Sequence, residues 1–227
     1  TTDVVESGDP LQPQATDAEA DYLCAAAGRY LKQAPRPGDA VWRYAGVRPL
    51  YDDGSGDPSA ITRDYTLRLD GDGGAPVLSV FGGKLTTYRR LAEQVVDRLA
   101  AALGDARPPW TETSTLPGGA MPAGGLADYV ARDIAPRYPW LPAAQRDALA
   151  RRHGSELPAL LGDARGVADL GEDFGGGLYE RELEWMLVRE WARTAADVLW
   201  RRSKCGLHMT PAQRDRVARR LGGQAPD

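Results

Sequence analysis

The sequence predicts an α+β protein in which a partial sheet-and-helix unit precedes a small helical bundle. Three observations carry that prediction. Two β-rich runs flank an Asp/Gly cluster between residues 61 and 81, an amphipathic helical series follows them at once, and beyond residue 125 the pattern is almost wholly helical.

Residues 6–15 are polar and turn-rich. Thr16 stands three residues before Glu19, the spacing at which a hydroxyl and a carboxylate each satisfy an orphan backbone N–H. Tyr22, Leu23, Ala26, Ala27, Tyr30 and Leu31 then keep helical spacing until Pro35 and Pro37. A short strand is expected at 40–45. From Ile61 to Leu69 the character alternates with period two, Asp70-Gly71-Asp72-Gly73-Gly74 makes a turn, and Val77-Leu78-Ser79-Val80-Phe81 completes a hairpin. Gly82-Gly83-Lys84 leads directly into a long helix whose apolar residues fall at Tyr88, Leu91, Ala92, Val95, Val96, Leu99 and Leu103, with Gly104 placed to cap its end.

Residues 106–125 are rich in Pro and Gly and mark a domain boundary. Helices are expected at 126–137 and at 142–153, the latter closed by Gly154, with a short turn at 156–161. Longer helices follow at 178–191 and 194–204. Thr210-Pro211-Ala212-Gln213 opens the last one with an N-cap, a first-turn proline and a capping-box glutamine.

Composition narrows the function classes. The 227 residues are 42% apolar and 26% charged, enough for a core and against wholesale disorder. A net charge of −4 gives no drive toward nucleic acid. Late basic residues such as Arg201, Arg202, Arg214 and Arg216 are interleaved with acidic ones and read as a solvated face. Cys24 and Cys205 form no disulfide framework or metal pattern, so a reducing compartment is the default, and no apolar run reaches membrane-spanning length. The chain does not start with Met, and Thr1-Thr2-Asp3-Val4-Val5 reads like mid-strand, so a fragment is suspected.

Most standard catalytic apparatus is missing: no Walker loop, no G-x-G-x-x-G opening a βαβ unit, no G-x-S-x-G. His153 and His208 read as capping or surface groups, and Glu180, Glu182 and Glu184 as the wet face of a helix. One constellation stands out. A strand ending in Gly82-Gly83 and feeding a helix gathers unpaired N–H groups and the positive end of a dipole, with Lys84 beside them. That suits an anion or a cofactor atom that becomes negative; the plainer alternative is a tight turn with a solvent-facing lysine. Arg48, held extended by Pro49, projects in a fixed direction. Arg63, on a strand face with Ile61 and Tyr65, needs a ligand, an acidic partner such as Asp52, Asp53 or Asp57, or a snorkelling path to water.

Together these segments resemble one family. Gly46-Val47-Arg48-Pro49-Leu50, then Ile61-Thr62-Arg63-Asp64-Tyr65, then Phe81-Gly82-Gly83-Lys84-Leu85-Thr86-Thr87-Tyr88 closely resemble the FAD-dependent aerobic glycerol-3-phosphate dehydrogenases. The likeness continues through Leu116-Pro117-Gly118-Gly119, Arg137-Tyr138-Pro139 and Asp169-Leu170-Gly171-Glu172-Asp173-Phe174-Gly175. It ends with Trp200-Arg201-Arg202-Ser203-Lys204-Cys205-Gly206-Leu207. Family proteins are about twice as long, and their amino-terminal half carries the dinucleotide fingerprint lacking here. Residues 1–107 thus resemble the last part of the flavin- and substrate-binding domain, and 108–227 the carboxy-terminal helical domain.

The resemblance implies FAD-dependent oxidation of sn-glycerol 3-phosphate to dihydroxyacetone phosphate, with electrons passed to quinone. It implies Arg48 as a catalytic and substrate-binding residue, Arg63 and Lys84 on the substrate and its phosphate, and Gly82, Gly83, Lys84, Leu85, Thr86 and Thr87 against the flavin. No metal is implied. The imidazole base would come from the missing half, since neither His153 nor His208 matches a family active-site segment. A cytoplasmic protein, peripheral on the inner membrane face and open to homodimer formation, fits the family. Competing readings are a glycerol-3-phosphate oxidase or another FAD oxidase of the same fold, and an inactive fragment or helical interaction module.

Overall fold

A Thr-x-x-Glu box opens the first helix of the computed structural model, which describes residues 8–48, 64–71, 74–104 and 107–223. Thr16 Oγ1 accepts the Glu19 N–H at 3.2 Å, and Glu19 Oε2 accepts the Thr16 N–H at 3.0 Å. This helix, α1 (Asp17–Gly28), stops short of Pro35. The chain turns back so closely that a Cβ on Gly28 would sit 2.9 Å from the Ala34 Cβ, which leaves Tyr30 and Leu31 outside the helix and exposed. The strand expected at 40–45 does not form. Trp42 and Tyr44 stack at 4.9 Å as period-two backbone would place them, but no ladder partner lies among the described residues.

The hairpin forms in part of its expected span. β1 (Thr66–Asp70) pairs antiparallel with β2 (Val77–Phe81), Thr66 opposite Phe81 and Asp70 opposite Val77. Ile61, Thr62 and Arg63 lie outside the described residues. The long helix does not begin at once after β2: a 3-10 turn, Leu85–Thr87, intervenes before α2 (Tyr88–Leu103). Arg98 ties α2 to the hairpin by donating to the Leu67 carbonyl at 2.9 Å. Gly104 ends α2 at φ +71°, the left-handed cap that glycine takes without a Cβ penalty.

The chain divides into two units, Thr1–Ser114 and Thr115–Asp227. The α+β class is as expected, with helices dominating and two small antiparallel sheets.

In the second unit the helix expected at 126–137 is α3 (Gly125–Tyr129), a π turn (Val130–Ile134) and α4 (Ala135–Arg137) in unbroken succession. Pro136 has no N–H to give, and the wider turn routes the Ala135 N–H to the Val130 carbonyl just before that donor is lost. α5 (Ala143–His153) ends at Gly154, φ +54°, whose backbone lies against Gly118; the Ser155 N–H donates to the Gly118 carbonyl at 3.0 Å. A 3-10 turn leads into α6 (Leu157–Leu161).

The stretch from 173 departs from the helical expectation. β3 (Asp173–Gly175) and β4 (Leu178–Tyr179) form a second hairpin, so the next helix, α7 (Glu180–Arg189), starts two residues late. Gly175, Gly176 and Gly177 all take positive φ at its tip, and Phe174 and Leu178 are driven into the core on either side. A π turn (Asp197–Arg202) and α8 (Pro211–Arg220), capped by Thr210 and Gln213, complete the unit. Ile134, Leu149, Leu161, Leu183, Met186 and Trp200 are at most 1% exposed, each leucine contributing roughly 1.5–3 kcal/mol by its burial. No described residue of the first unit is fully buried.

Candidate functional site

Two places carry chemistry, one in each unit. In the first, β2 runs into Gly82 (φ +72°) and Gly83 (φ +105°), conformations that side-chain-bearing residues rarely adopt. A Cβ on Gly83 would meet Tyr65 and Leu91 only at ordinary contact distances, so backbone angle rather than space calls for glycine. Lys84 is extended and exposed. The Thr87 hydroxyl closes the turn by donating to the Lys84 carbonyl at 3.0 Å and accepting its N–H at 3.4 Å. The Leu85 and Thr86 N–H groups, at the mouth of the turn, take no acceptor among the described residues. Leu85 is 87% exposed and Phe81 and Tyr88 are partly so, an apolar margin around polar donors. The turn therefore carries N–H groups, a cation and apolar side chains within a few residues of one another, the groups that an anionic or polarisable planar ligand requires.

Of the three cations singled out, Lys84 sits on this turn and Arg48 lies exposed in the same unit. Arg63 lies outside the described residues, as do Asp52, Asp53 and Asp57. Gly82, Gly83, Lys84, Leu85, Thr86 and Thr87 form one continuous strand-to-helix corner.

The second place was not legible as a site. His153 was expected as a capping or surface group and Glu182 on a solvated helix face; they are 5% and 1% exposed. Glu182 accepts two hydrogen bonds from Arg152, Nε to Oε1 at 2.6 Å and a terminal nitrogen to Oε2 at 2.9 Å. His153 Nε2 lies 2.7 Å from Glu182 Oε1, and Nδ1 faces Glu190 Oε1 at 3.3 Å, a charge contact rather than an aligned hydrogen bond. Burial works against charge on His153, yet its contacts with Glu182 and Glu190 outweigh it and raise the imidazole pKa. The His153 contact holds the Glu190 carboxyl below its ordinary range, against the opposing effect of burial. Arg152 also donates to the Gly177 carbonyl at 3.2 Å, as does Gln145 at 2.9 Å, so the cluster grips the glycine tip of the second hairpin. The only sequence hint was the Arg-His pair at the end of α5, 29 residues from its partner Glu182.

Several other late charges are paired or stacked. Arg220 meets Glu180 at 2.9 Å, Arg201 meets Asp197 at 3.1 Å, and Arg214 lies over the Trp200 ring. Cys24 and Cys205 are free thiols, and burial pushes the Cys205 pKa up. Among the described residues no group of His, Cys, Asp and Glu could hold a metal ion, and no helix is long and apolar enough to cross a membrane.

No family model matches the chain. It is, however, related along nearly its whole length to curated glycerol-3-phosphate dehydrogenases. It is 47% identical over 222 residues to the aerobic glycerol-3-phosphate dehydrogenase of Escherichia coli, covering 97% of this chain and 44% of the relative. It is 44% identical over 227 residues to a glycerol-3-phosphate dehydrogenase of Pseudomonas aeruginosa, again 44% of the relative. A D-erythritol 1-phosphate dehydrogenase of Brucella abortus is 42% identical over 216 residues, 42% of its length. The chain thus spans less than half the length of these relatives.

Proposed function

We propose, from this relatedness, that the chain supplies the substrate-side corner and the helical domain of an FAD-dependent glycerol-3-phosphate dehydrogenase that yields dihydroxyacetone phosphate and passes electrons to quinone. The observation that carries the reading is 47% identity to the Escherichia coli protein across 97% of this chain.

The corner at 82–87 suits the flavin in part. Its Leu85 and Thr86 N–H groups and the exposed Leu85 side chain offer donors beside an apolar margin. The adenosine and pyrophosphate fall to a part of the relatives that this chain does not span. What FAD supplies when bound is an acceptor for the hydride of the substrate's secondary alcohol. The chain's own residues do the rest of the work assigned here. Lys84 and Arg63 bind the phosphate dianion by charge-assisted hydrogen bonds. Arg48 holds the reacting end of the substrate and steadies negative charge developing there. The two N–H groups at the head of the 3-10 turn stabilise negative charge on a bound oxygen or nitrogen without reorganising.

The Brucella abortus relative favours a second reading, a longer polyol phosphate as substrate. The test is reconstitution. The chain is co-expressed with the portion of the Escherichia coli relative that it does not match, and the complex is assayed with glycerol 3-phosphate, erythritol phosphate and glycerol. Retained flavin with turnover of glycerol 3-phosphate is expected. A folded, flavin-bearing complex that oxidises none of the three would overturn the assignment.

A further inference from the structure

Two carboxylates from opposite ends of α7 converge on one buried ring. His153 Nε2 lies 2.7 Å from Glu182 Oε1, and Nδ1 lies 3.3 Å from Glu190 Oε1. A neutral imidazole has one N–H and one lone pair, so either tautomer would turn a lone pair toward a carboxylate. Only the imidazolium carries an N–H on both nitrogens, so that it hydrogen-bonds Glu182 and meets Glu190 through charge. The charges agree with this: Arg152 and His153 face Glu182 and Glu190, and Arg202 acts on Glu190 as well. Removing the ring proton takes away the positive charge that lies between the two carboxylates, on a side chain that is 2% exposed.

We propose that His153 is a proton-operated latch on the Glu190–Trp191 turn. Charged, it holds both ends of α7 against the end of α5; neutral, it lets Glu190 go. The raised imidazole pKa is in keeping with a ring that is charged when latched.

The groups packed around the ring decide which arm opens. Arg152 keeps Glu182 through two hydrogen bonds whatever the state of the ring. Cys205, on the 3-10 turn that follows the π segment, faces Arg152 and Glu182 as a thiol, because burial raises its pKa. Glu190 has other holders, the Trp185 indole and the Arg202 guanidinium, and Arg202 Nε also donates to the Glu190 carbonyl at 2.8 Å. Loss of the ring proton therefore leaves Glu182 in place and turns the Glu190 carboxylate toward Trp185 and Arg202. The turn it anchors is already unusual. Trp191 takes φ +57°, is 79% exposed, and is followed by an Ala192 N–H reaching back to the Met186 carbonyl at 3.0 Å. A non-glycine residue in that conformation persists only while its surroundings hold it, so freeing Glu190 shifts Trp191 and the adjoining exposed Val188.

The experiment is an NMR titration of the full chain carrying His208→Asn, which leaves one imidazole to observe between about pH 5 and 8. The His153 ring is expected to titrate at higher pH than in the urea-denatured chain, and the Trp191 indole resonance to move with the same midpoint. Glu190→Gln should lower the ring midpoint and abolish the Trp191 shift. Trp185→Phe removes a competing holder of Glu190 and should move the midpoint the other way, which keeps the test decisive if Glu190→Gln unfolds. A ring neutral throughout, or one that titrates while Trp191 stays still, overturns the latch.

Discussion

Arg152 grips Glu182 with two parallel hydrogen bonds, at 2.6 and 2.9 Å, although the glutamate is 1% exposed. Removing one member of such a buried pair strands the other. Arg152→Ala should therefore cost roughly 3–5 kcal/mol, read as a lower midpoint in urea unfolding. Replacing both partners by apolar residues should recover most of that loss. A single variant with an unchanged midpoint would show that water already reaches the pair.

Gly154 and Gly104 separate two reasons for glycine. At Gly104, φ +71°, a Cβ would meet nothing within 4 Å, so Gly104→Ala carries only the left-handed penalty of about 1–2 kcal/mol. At Gly154 a Cβ would also run into the Gly118 carbonyl. Gly154→Ala should destabilise the second unit well beyond that amount, as thermal melts would register.

The stability of the second unit should peak in mildly acidic solution. His153, raised in the folded state, contributes fully below its unfolded value of about 6.5 and loses that contribution as pH climbs through the raised value. Glu190, lowered in the folded state, contributes above about 4.5 and loses it as pH falls through the depressed value. Melting temperature against pH should flatten on both sides in His153→Gln, and on the acidic side and partly on the alkaline side in Glu190→Gln, which leaves the Glu182 contact to His153.

Much of the fold was legible because it rests on local chemistry. The Thr16/Glu19 and Thr210/Gln213 boxes form as spaced, and Gly104 and Gly154 end their helices. What failed depended on distant partners. Residues 40–45 have the alternation of a strand but no described neighbour to pair with. Leu178 and Tyr179 looked like the start of a helix until the three glycines before them folded back on Phe174. Glu182 carries the sequence signature of a wet helix face, and only the return of α5 makes it buried. At 82–87 the strand end and the glycine pair were legible, whereas the 3-10 turn at Leu85–Thr87 that precedes the helix was not.

In the reconstituted complex of the proposed function, Lys84→Ala should raise the KM for glycerol 3-phosphate by roughly 10- to 150-fold, the equivalent of one charge-assisted contact. Poor use of plain glycerol should barely change. Equal harm to both substrates would make Lys84 a structural residue of the turn. Arg63→Ala should behave alike, whereas Arg48→Ala should also lower kcat.

Expressed separately, residues 115–227 should melt cooperatively and residues 1–114 should not. All the fully buried side chains among the described residues belong to the former, while the latter exposes Tyr30, Leu85 and Leu103 and, among those residues, a hairpin with no third strand. Circular dichroism of the two pieces decides this.

That division has a consequence for synthesis. Residues before 114 leave the ribosome ahead of those after it, by on the order of ten seconds. For that interval exposed apolar side chains such as Tyr30, Leu85 and Leu103 are open targets for chaperones and for other nascent chains. Variants that weaken residues 8–104 should therefore lower the yield of soluble protein made in cells more than the melting temperature of whatever survives purification.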